Sequence, residues 1–137
     1  MTKQARVIVD TSGLYALVDR KDPHHLRAAA YLRQAAGVHS LLLSNHVFDE
    51  TMTLAKMRLG MQTAVQLGLR LRNSQLIENI VFSAEEEFAT WRLFTQYQDK
   101  EWSYTDCACL ALAQRYDLER AFTFDHHFSQ MGLTPLP

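Results

Sequence analysis

The stretch Arg6-Val7-Ile8-Val9-Asp10-Thr11-Ser12 decides the fold. Three β-branched residues in a row predict a short strand at residues 7–10 that is buried on both faces, as in a parallel sheet. A carboxylate closes this strand and two hydroxyl residues follow it. Ligands of open α/β sheets bind at the carboxyl ends of the strands, so Asp10 is a candidate site residue. The alternative is that Asp10 or Ser12 only caps the next helix, and this stretch alone does not decide between the two.

Length and composition indicate one globular domain, which we predict to span residues 1–137. No apolar run approaches the ~18 residues that span a bilayer, and no signal-peptide pattern is present, so we expect a cytoplasmic protein without membrane contact. Two cysteines, Cys107 and Cys109, are too few for a disulfide framework. The net charge of −1 argues against a histone-like binder of nucleic acid. It does not exclude an enzyme that handles nucleic acid through metal ions and a local basic patch.

The order of the apolar patterns predicts the fold class. Strands are predicted at residues 7–10, 40–44, part of 75–82, 120–125 and, as a short edge strand, within 131–137. Helices are predicted at residues 14–18, 26–36, 46–59, 61–72, about 84–98 and from 104 to 113. Strands that alternate with helices predict a single α/β domain. We expect a central, mainly parallel sheet of four to five strands, flanked by helices on both faces.

Two local patterns add detail to the helices. Asp22 is predicted to cap the second helix, with Pro23 at its first position. Aromatic residues at helical spacing follow the capping box at residues 83–86, and we predict that they pack into the core: Phe88, Trp91 and Phe94.

Four acidic residues are the candidates for chemistry. Asp10 and Asp125 each end an apolar strand, so a parallel sheet places both at the same edge. In the helix at 46–59, periodicity puts Glu50 on the side of the core and Asp49 on a more polar face. Asp106 lies at the inner, N-terminal end of a helix that is apolar almost all round. Helix capping remains the alternative for Asp106.

A cluster of these carboxylates needs a cation. Their mutual repulsion would raise their pKa values unless a cation neutralised them. Oxygen ligands without Cys or His favour Mg²⁺ or Mn²⁺ over Zn²⁺. Such a site activates a bound water and stabilises the charge that develops on a phosphodiester. The adjacent pair His126 and His127 is not predicted to bind a metal, because neighbouring residues on a helix face different directions. One of the two is a candidate substrate contact.

Five stretches, in order along nearly the whole chain, carry a family resemblance: Val7-Ile8-Val9-Asp10-Thr11-Ser12, Asp22-Pro23-His24-His25, Asp49-Glu50-Thr51-Met52-Thr53-Leu54, Ser103-Tyr104-Thr105-Asp106 and Phe122-Thr123-Phe124-Asp125-His126-His127-Phe128. The chain resembles PIN-domain ribonucleases, and within them the VapC-type toxins of bacterial toxin–antitoxin pairs. The resemblance assigns the family's acids to the four positions found from periodicity: Asp10, Glu50, Asp106 and Asp125. It also assigns supporting hydroxyls to Thr11 or Ser12, with Thr105 as a helper.

The resemblance implies Mg²⁺-dependent endonucleolytic cleavage of RNA. It further implies a homodimer and a cognate antitoxin, a segment of which enters the active-site groove. Basic residues in two helices either line an RNA-binding surface or form solvated faces: Lys56, Arg58, Arg70 and Arg72. The alternative function is a catalytically silent PIN fold that only binds an antitoxin-like protein.

Two other classes of α/β protein fit the sequence less well. A phosphatase of the haloacid-dehalogenase kind requires a second aspartate two residues after Asp10, where Ser12 stands. A receiver domain requires an acidic pair near the first strand and a lysine at the end of a late strand. Asp10 has no acidic neighbour, and the late strand is followed by Phe124 and Asp125.

Overall fold

A single sheet of five parallel strands forms the centre of the computed structural model, which describes residues 5–137. The strands are β1 (Ala5–Val9), β2 (His39–Ser44), β3 (Ile77–Ile80), β4 (Arg120–Phe122) and β5 (Thr134–Leu136). Their order across the sheet is β3-β2-β1-β4-β5, and every neighbouring pair is parallel. The chain therefore builds the sheet outward from β1 in both directions, which creates a topological switch point between β1 and β4.

Seven helices within residues 5–137 flank the sheet. They are α1 (Thr11–Val18), α2 (His25–Ala35), α3 (Asn45–Leu59), α4 (Met61–Asn73), α5 (Ala84–Gln96), α6 (Tyr104–Tyr116) and α7 (His127–Gln130). Successive side chains of β1 point to opposite faces, yet Val7, Ile8 and Val9 are all fully buried. Both faces of the sheet are therefore covered, and the predicted fold class is confirmed. No helix in the described part of the chain is long and apolar enough to cross a membrane.

Several predicted boundaries were wrong. β1 ends at Val9 rather than at Asp10, and α1 begins at Thr11 rather than at Leu14. Asp22 does not cap the second helix and Pro23 is not its first residue, because the Asp22 carboxylate accepts the N–H of His24 at 2.8 Å in a turn and the helix begins only at His25.

Strand β4 ends at Phe122 rather than at residue 125. The N–H of Thr123 still donates to the carbonyl of Leu136 in β5 at 3.1 Å. The N–H groups of Phe124 and Asp125 donate instead to the hydroxyls of Ser12 and Thr123, so the chain leaves the sheet after Thr123. The first four residues of the predicted domain lie outside the described residues.

The aromatic face of α5 does not enter the core, contrary to the prediction. Phe88, Trp91 and Phe94 are exposed by 61%, 53% and 40%. The buried residues of this helix are Thr90 and Leu93, on its other side. Helical spacing correctly placed the aromatic residues on one stripe, but the side that packs against α6 carries smaller side chains.

Gly13 allows α1 to lie directly against β4. A Cβ atom at this position would lie 2.8 Å from the carbonyl oxygen of Phe122 and 3.0 Å from its ring. Both of these groups are in the buried centre of the sheet and cannot move aside easily. Because glycine has no side chain, the start of α1 can pack directly against the end of β4, where the candidate site lies.

We expect Gly13→Ala to destabilise the fold. Overpacking of this kind costs about 1–3 kcal/mol and exceeds the gain of roughly 1 kcal/mol that alanine brings to a helix interior. The matched control is Gly68→Ala in α4, where the nearest atom is the flexible Met52 sulfur at 3.1 Å. Urea denaturation should show a loss of unfolding free energy for Gly13→Ala and little change or a gain for Gly68→Ala. Equal stability of the two variants would contradict the packing argument.

Candidate metal centre

The candidate site lies at the switch point, beyond the carboxyl ends of β1 and β4. The N–H of Asp10 still bonds to the carbonyl of Phe122 at 3.1 Å, so Asp10 begins where the two strands stop pairing. A pocket of about 580 Å³ opens at this edge and is lined by all four predicted acids: Asp10, Glu50, Asp106 and Asp125. A cavity of about 590 Å³ elsewhere has leucine-rich walls and no acidic or histidine residue. The acidic pocket is therefore the candidate functional site.

Asp10 is the most enclosed of the four acids, with 3% of its surface exposed. Its Oδ2 accepts hydrogen bonds from the Ser12 hydroxyl at 2.8 Å and the Thr123 hydroxyl at 3.0 Å. It also accepts the backbone N–H of Ser12 at 3.4 Å and so caps α1. Burial, and to a lesser extent the nearby charge of Asp106, raises the pKa of Asp10 to about 6. Asp10 thus caps α1 and also lines the candidate site.

Asp106 also caps a helix while it lines the pocket. Its Oδ2 accepts the N–H of Ser103 at 3.0 Å, and the Ser103 hydroxyl accepts the N–H of Asp106, which completes a capping box at the start of α6. The same Oδ2 lies 3.0 Å from Nδ1 of His127. Burial raises the pKa of Asp106, although these hydrogen bonds act in the opposite direction.

Asp125 is held by the turn that follows β4. Its N–H donates to the Thr123 hydroxyl at 2.9 Å, and its Oδ1 accepts the N–H of His127 at 2.9 Å. Nδ1 of His127 lies 3.3 Å from the same oxygen and therefore between the carboxylates of Asp106 and Asp125. The turn thus fixes Asp125 beside Asp106.

Glu50 reaches the pocket from α3. The pocket is lined by Glu50, Leu54 and Arg58, which are spaced four residues apart on one helix face, whereas Asp49 is not part of it. The choice of Glu50 over Asp49 as the acid that faces the other carboxylates agrees with this placement. The prediction that Glu50 is pressed toward the core was wrong, because its side chain is exposed at the rim of the pocket.

The three predicted hydroxyl residues have different positions. Thr11 lines the pocket, and its buried Oγ1 has no hydrogen-bond partner among the described residues. Ser12 also lines the pocket and accepts the N–H of Phe124 at 2.9 Å while it donates to Asp10. Thr105 is half-buried and lies outside the set of residues that line the pocket.

Two residues that hydrogen-bond to the acids were not predicted to do so from the sequence. Thr123 is buried and joins Asp10 to the turn of Asp125 through one hydroxyl. A hydroxyl residue at the end of an apolar strand is the signal that could have found it, since the same signal marked Ser12. His127 was considered as a metal ligand, which was not predicted, and as a substrate contact, but not as a partner of the acids. Its position between two carboxylates depends on the turn after β4.

The donor set fits a hard divalent cation. In each of Asp10, Asp106 and Asp125, the hydrogen-bond donors of the protein contact only one of the two carboxylate oxygens. The lone pairs of the second oxygen are therefore available to a ligand. The unpartnered Oγ1 of Thr11 is a buried polar atom that a metal-bound water or a phosphate oxygen would satisfy. Carboxylate oxygens in this number suit Mg²⁺ or Mn²⁺.

Comparisons with known proteins agree with this geometry. The family model of the PIN domain matches residues 7–133. The 23S rRNA-specific endonuclease VapC20 of Mycobacterium tuberculosis is 30% identical over 127 residues, which are 92% of this chain and 94% of that protein. Ribonuclease VapC26 of the same organism is 30% identical over 126 residues, or 91% of each chain.

Solved structures show the same fold. The crystal structure of Mycobacterium tuberculosis VapC20, described as a Sarcin-Ricin loop cleaving toxin, superposes with a TM-score of 0.86 at 27% identity and covers 93% of this chain and 96% of that one. VapBC2 from Rickettsia felis, bound to a DNA fragment from its promoter, superposes with a TM-score of 0.73 at 17% identity, over 96% and 99% of the two chains. This chain belongs to the PIN-domain family. Within it, its relatives over nearly the whole length are VapC-type ribonucleases.

We expect Thr123→Val to destabilise the protein by about 1–3 kcal/mol, because it leaves the N–H of Asp125 unpaired and removes a donor from buried Asp10. Thr123→Ser is the matched control, since it keeps the hydroxyl and loses only a methyl group. Unfolding free energies from urea denaturation test this. A Thr123→Ser variant as unstable as Thr123→Val would assign the effect to the methyl group and contradict the hydroxyl's role.

Proposed function

We propose that the protein is a Mg²⁺-dependent endoribonuclease and the toxin of a toxin–antitoxin pair. The observation that carries this proposal is the meeting of four carboxylates, from four separate parts of the chain, in one pocket at the switch point of a PIN fold. The relatives named as ribonucleases over nearly the full chain support the same chemistry. Mn²⁺ would serve in place of Mg²⁺, because it prefers the same oxygen ligands.

The chain's own residues have distinct roles in the proposed reaction. Asp10, Glu50, Asp106 and Asp125 would hold the cation, which supplies Lewis-acid activation of water and stabilises charge on the phosphodiester. The Thr11 hydroxyl would orient a water or a phosphate oxygen. Support for this role comes from the position of Thr11 in the pocket lining and from the lack of a hydrogen-bond partner for its Oγ1 among the described residues. Ser12 and Thr123 keep the Asp10 carboxylate in one orientation.

Arg58 is the basic residue best placed to contact the RNA backbone. It lines the acidic pocket, and its guanidinium lies 5.2 Å from the ring centroid of Tyr15. Arginine contacts phosphates without reading sequence. The other basic candidates are exposed and outside the pocket: Lys56, Arg70 and Arg72. We therefore propose a phosphate contact for Arg58 and assign the other three to solvated helix faces.

The RNA to test first is ribosomal. VapC20 is named as a 23S rRNA-specific endonuclease, and its crystal structure is described as that of a Sarcin-Ricin loop cleaving toxin. We propose 23S rRNA as the first candidate substrate for this chain, and the cytoplasm as its place of action, because that is where this RNA is found. Transfer RNA and messenger RNA are the comparison substrates.

A cognate antitoxin is the proposed protein partner. The described solved relatives include a VapBC2 complex, and VapC20 is described as a toxin. The pocket is lined by six acidic residues, the four predicted ones together with Asp22 and Glu101, and such a pocket attracts a cationic side chain as well as a metal ion. We propose that an antitoxin segment with arginine or lysine enters this pocket and excludes the metal and the RNA. The silent-binder alternative is not favoured, because all four acids are present and line one pocket.

We expect the purified protein, freed of any antitoxin, to cleave RNA only with Mg²⁺ or Mn²⁺. Asp10→Asn should lower the cleavage rate at least about 100-fold, because even residues that only support metal ligands contribute roughly 10- to 100-fold. Glu50→Gln should also lose activity. The matched control is Asp49→Asn, which removes the neighbouring exposed acid outside the pocket and should cleave normally. Gel analysis of cleaved 23S rRNA, with and without EDTA, gives the rates.

Metal binding can be measured without activity. Mg²⁺ should raise the melting temperature of the wild-type protein, because a ligand that binds only the folded state stabilises it. The same ion should have little effect on Asp10→Asn. Equal cleavage by wild type and Asp10→Asn, or a complete absence of cleavage together with no Mg²⁺-dependent shift, would refute the metal-nuclease proposal.

The exposed aromatic stripe of α5 is the proposed homodimer interface. Phe88 lies three residues before Trp91, and Phe94 lies three residues after it. In an antiparallel pair of α5 helices, Phe88 of one copy would face Phe94 of the other, and the two Trp91 side chains would face each other. A two-fold interface requires this self-complementary spacing. Exposed aromatic groups in contact with one another are typical of protein interfaces.

Trp91→Glu is expected to convert a dimer into a monomer, because a charge at the centre of an apolar interface is left desolvated. Light scattering after size-exclusion chromatography should give twice the 15.8 kDa chain mass for wild type and one chain mass for Trp91→Glu. Leu26→Glu is the control, since Leu26 is 81% exposed on α2, away from this stripe, and should leave the dimer intact. A wild-type monomer, or a dimeric Trp91→Glu, would refute this interface.

A further inference from the structure

A second group of metal-ligand atoms lies at one end of the acidic pocket. One carboxylate oxygen of Asp125 and one ring nitrogen each of His126 and His127 lie within 4.8 Å of one another. Oδ1 of Asp125 is 3.7 Å from Nδ1 of His126 and 3.3 Å from Nδ1 of His127. The three residues are consecutive, and their side chains converge because the chain turns here before α7 begins.

The turn explains why adjacent histidines face the same point. His126 precedes α7 with helical backbone angles (φ −65°, ψ −18°) and His127 is its first residue, so the backbone at His126 alone does not bring the two rings together. The Asp125 carboxylate accepts the N–H of His127 and folds the chain back on itself. The two imidazole centroids are consequently 4.5 Å apart. The expectation that this pair does not bind a metal considered only the directions of adjacent residues on a helix. It did not consider the turn that brings one oxygen of Asp125 within 3.7 Å of a nitrogen of each ring.

The spacing of these atoms suits a tetrahedral metal ion. Donors bound to Zn²⁺ at about 2.0–2.2 Å in a tetrahedron lie roughly 3.4 Å from one another. The two distances from Asp125 are close to this value without any movement. His126 is 78% exposed, so its ring is free to close the remaining gap to His127.

The donor chemistry differs from that of the four-carboxylate site. Ions such as Zn²⁺ prefer a set of two imidazole nitrogens and one carboxylate oxygen, whereas Mg²⁺ prefers oxygen ligands alone. A water molecule would complete the fourth position of a three-residue site. The two sets of ligands share Asp125, so one ion at either site changes the ligands left for the other.

We propose that Asp125, His126 and His127 bind a transition metal ion of the Zn²⁺ type, and that this binding competes with Mg²⁺ at the four-carboxylate site. The competition, although not the Zn²⁺ binding itself, rests on the proposed nuclease function. A metal bound through Nδ1 of His127 places the ring proton on Nε2 and breaks the contact with Asp106. Zn²⁺ therefore removes Asp125 from the four-carboxylate site and releases Asp106 from its contact with His127. The nuclease is inhibited because Asp125 is no longer available to Mg²⁺.

The test measures Zn²⁺ binding to the full-length protein, without RNA, by isothermal titration calorimetry. Wild type should bind one Zn²⁺ per chain. His126→Ala should weaken Zn²⁺ binding at least tenfold and keep the Mg²⁺-dependent rise in melting temperature. Asp10→Asn should show the reverse pattern. His24→Ala is the matched control, because His24 also lines the pocket but stacks on Phe124, and it should bind both ions normally.

Three results would overturn the proposal: no Zn²⁺ binding to wild type, unchanged Zn²⁺ binding in His126→Ala, or loss of Zn²⁺ binding in Asp10→Asn but not in His126→Ala. The last result would place Zn²⁺ among the four carboxylates. Zn²⁺ should also inhibit RNA cleavage by wild type more strongly than cleavage by His126→Ala. If the protein binds Zn²⁺ as expected but neither binds Mg²⁺ nor cleaves RNA, the nuclease proposal fails and the Zn²⁺ site stands.

Discussion

Asp10 is a carboxylate that the fold holds almost completely out of water, at the point where two neighbouring parallel strands end. Such burial is unfavourable unless hydrogen-bond donors or a cation accompany the charge. The hydroxyls of Ser12 and Thr123, which are 111 residues apart in the chain, supply the donors. They also accept the backbone N–H groups of Phe124 and Asp125. This contact joins the segments that follow β1 and β4, and the rest of the acidic pocket depends on it.

Local structure brings the other carboxylates to this contact. A capping box holds Asp106 at the start of α6, a turn holds Asp125 after β4, and α3 presents Glu50 at the rim. Groups of like charge in a partly desolvated pocket repel one another, and burial raises the pKa of Asp10 to about 6. The pocket is therefore poised to receive positive charge. The same electrostatic property supports the proposed Mg²⁺ ion, the proposed antitoxin side chain and the competing Zn²⁺ ion.

Periodicity predicted which residues share a face more reliably than which face is covered. It separated Glu50 from Asp49, and only Glu50 lines the pocket, yet Glu50 is exposed rather than pressed toward the core. It placed the aromatic residues of α5 on one stripe around Trp91, yet that stripe is exposed. The spacing along a helix is a local property, whereas exposure depends on which neighbouring element packs there. In α5 the buried side is the one that carries Leu93.

The sequence by itself determined the parallel α/β fold, the buried first strand next to Asp10, the capping box of α5 and the PIN family, because these follow from local patterns and short motifs. It also named the four acids that now line one pocket. Only the tertiary structure decided that Thr123 supports Asp10, that His127 lies between Asp106 and Asp125, and that His126 and His127 converge. These features arise from hydrogen bonds between segments up to 113 residues apart and from one turn, and no local pattern encodes such contacts.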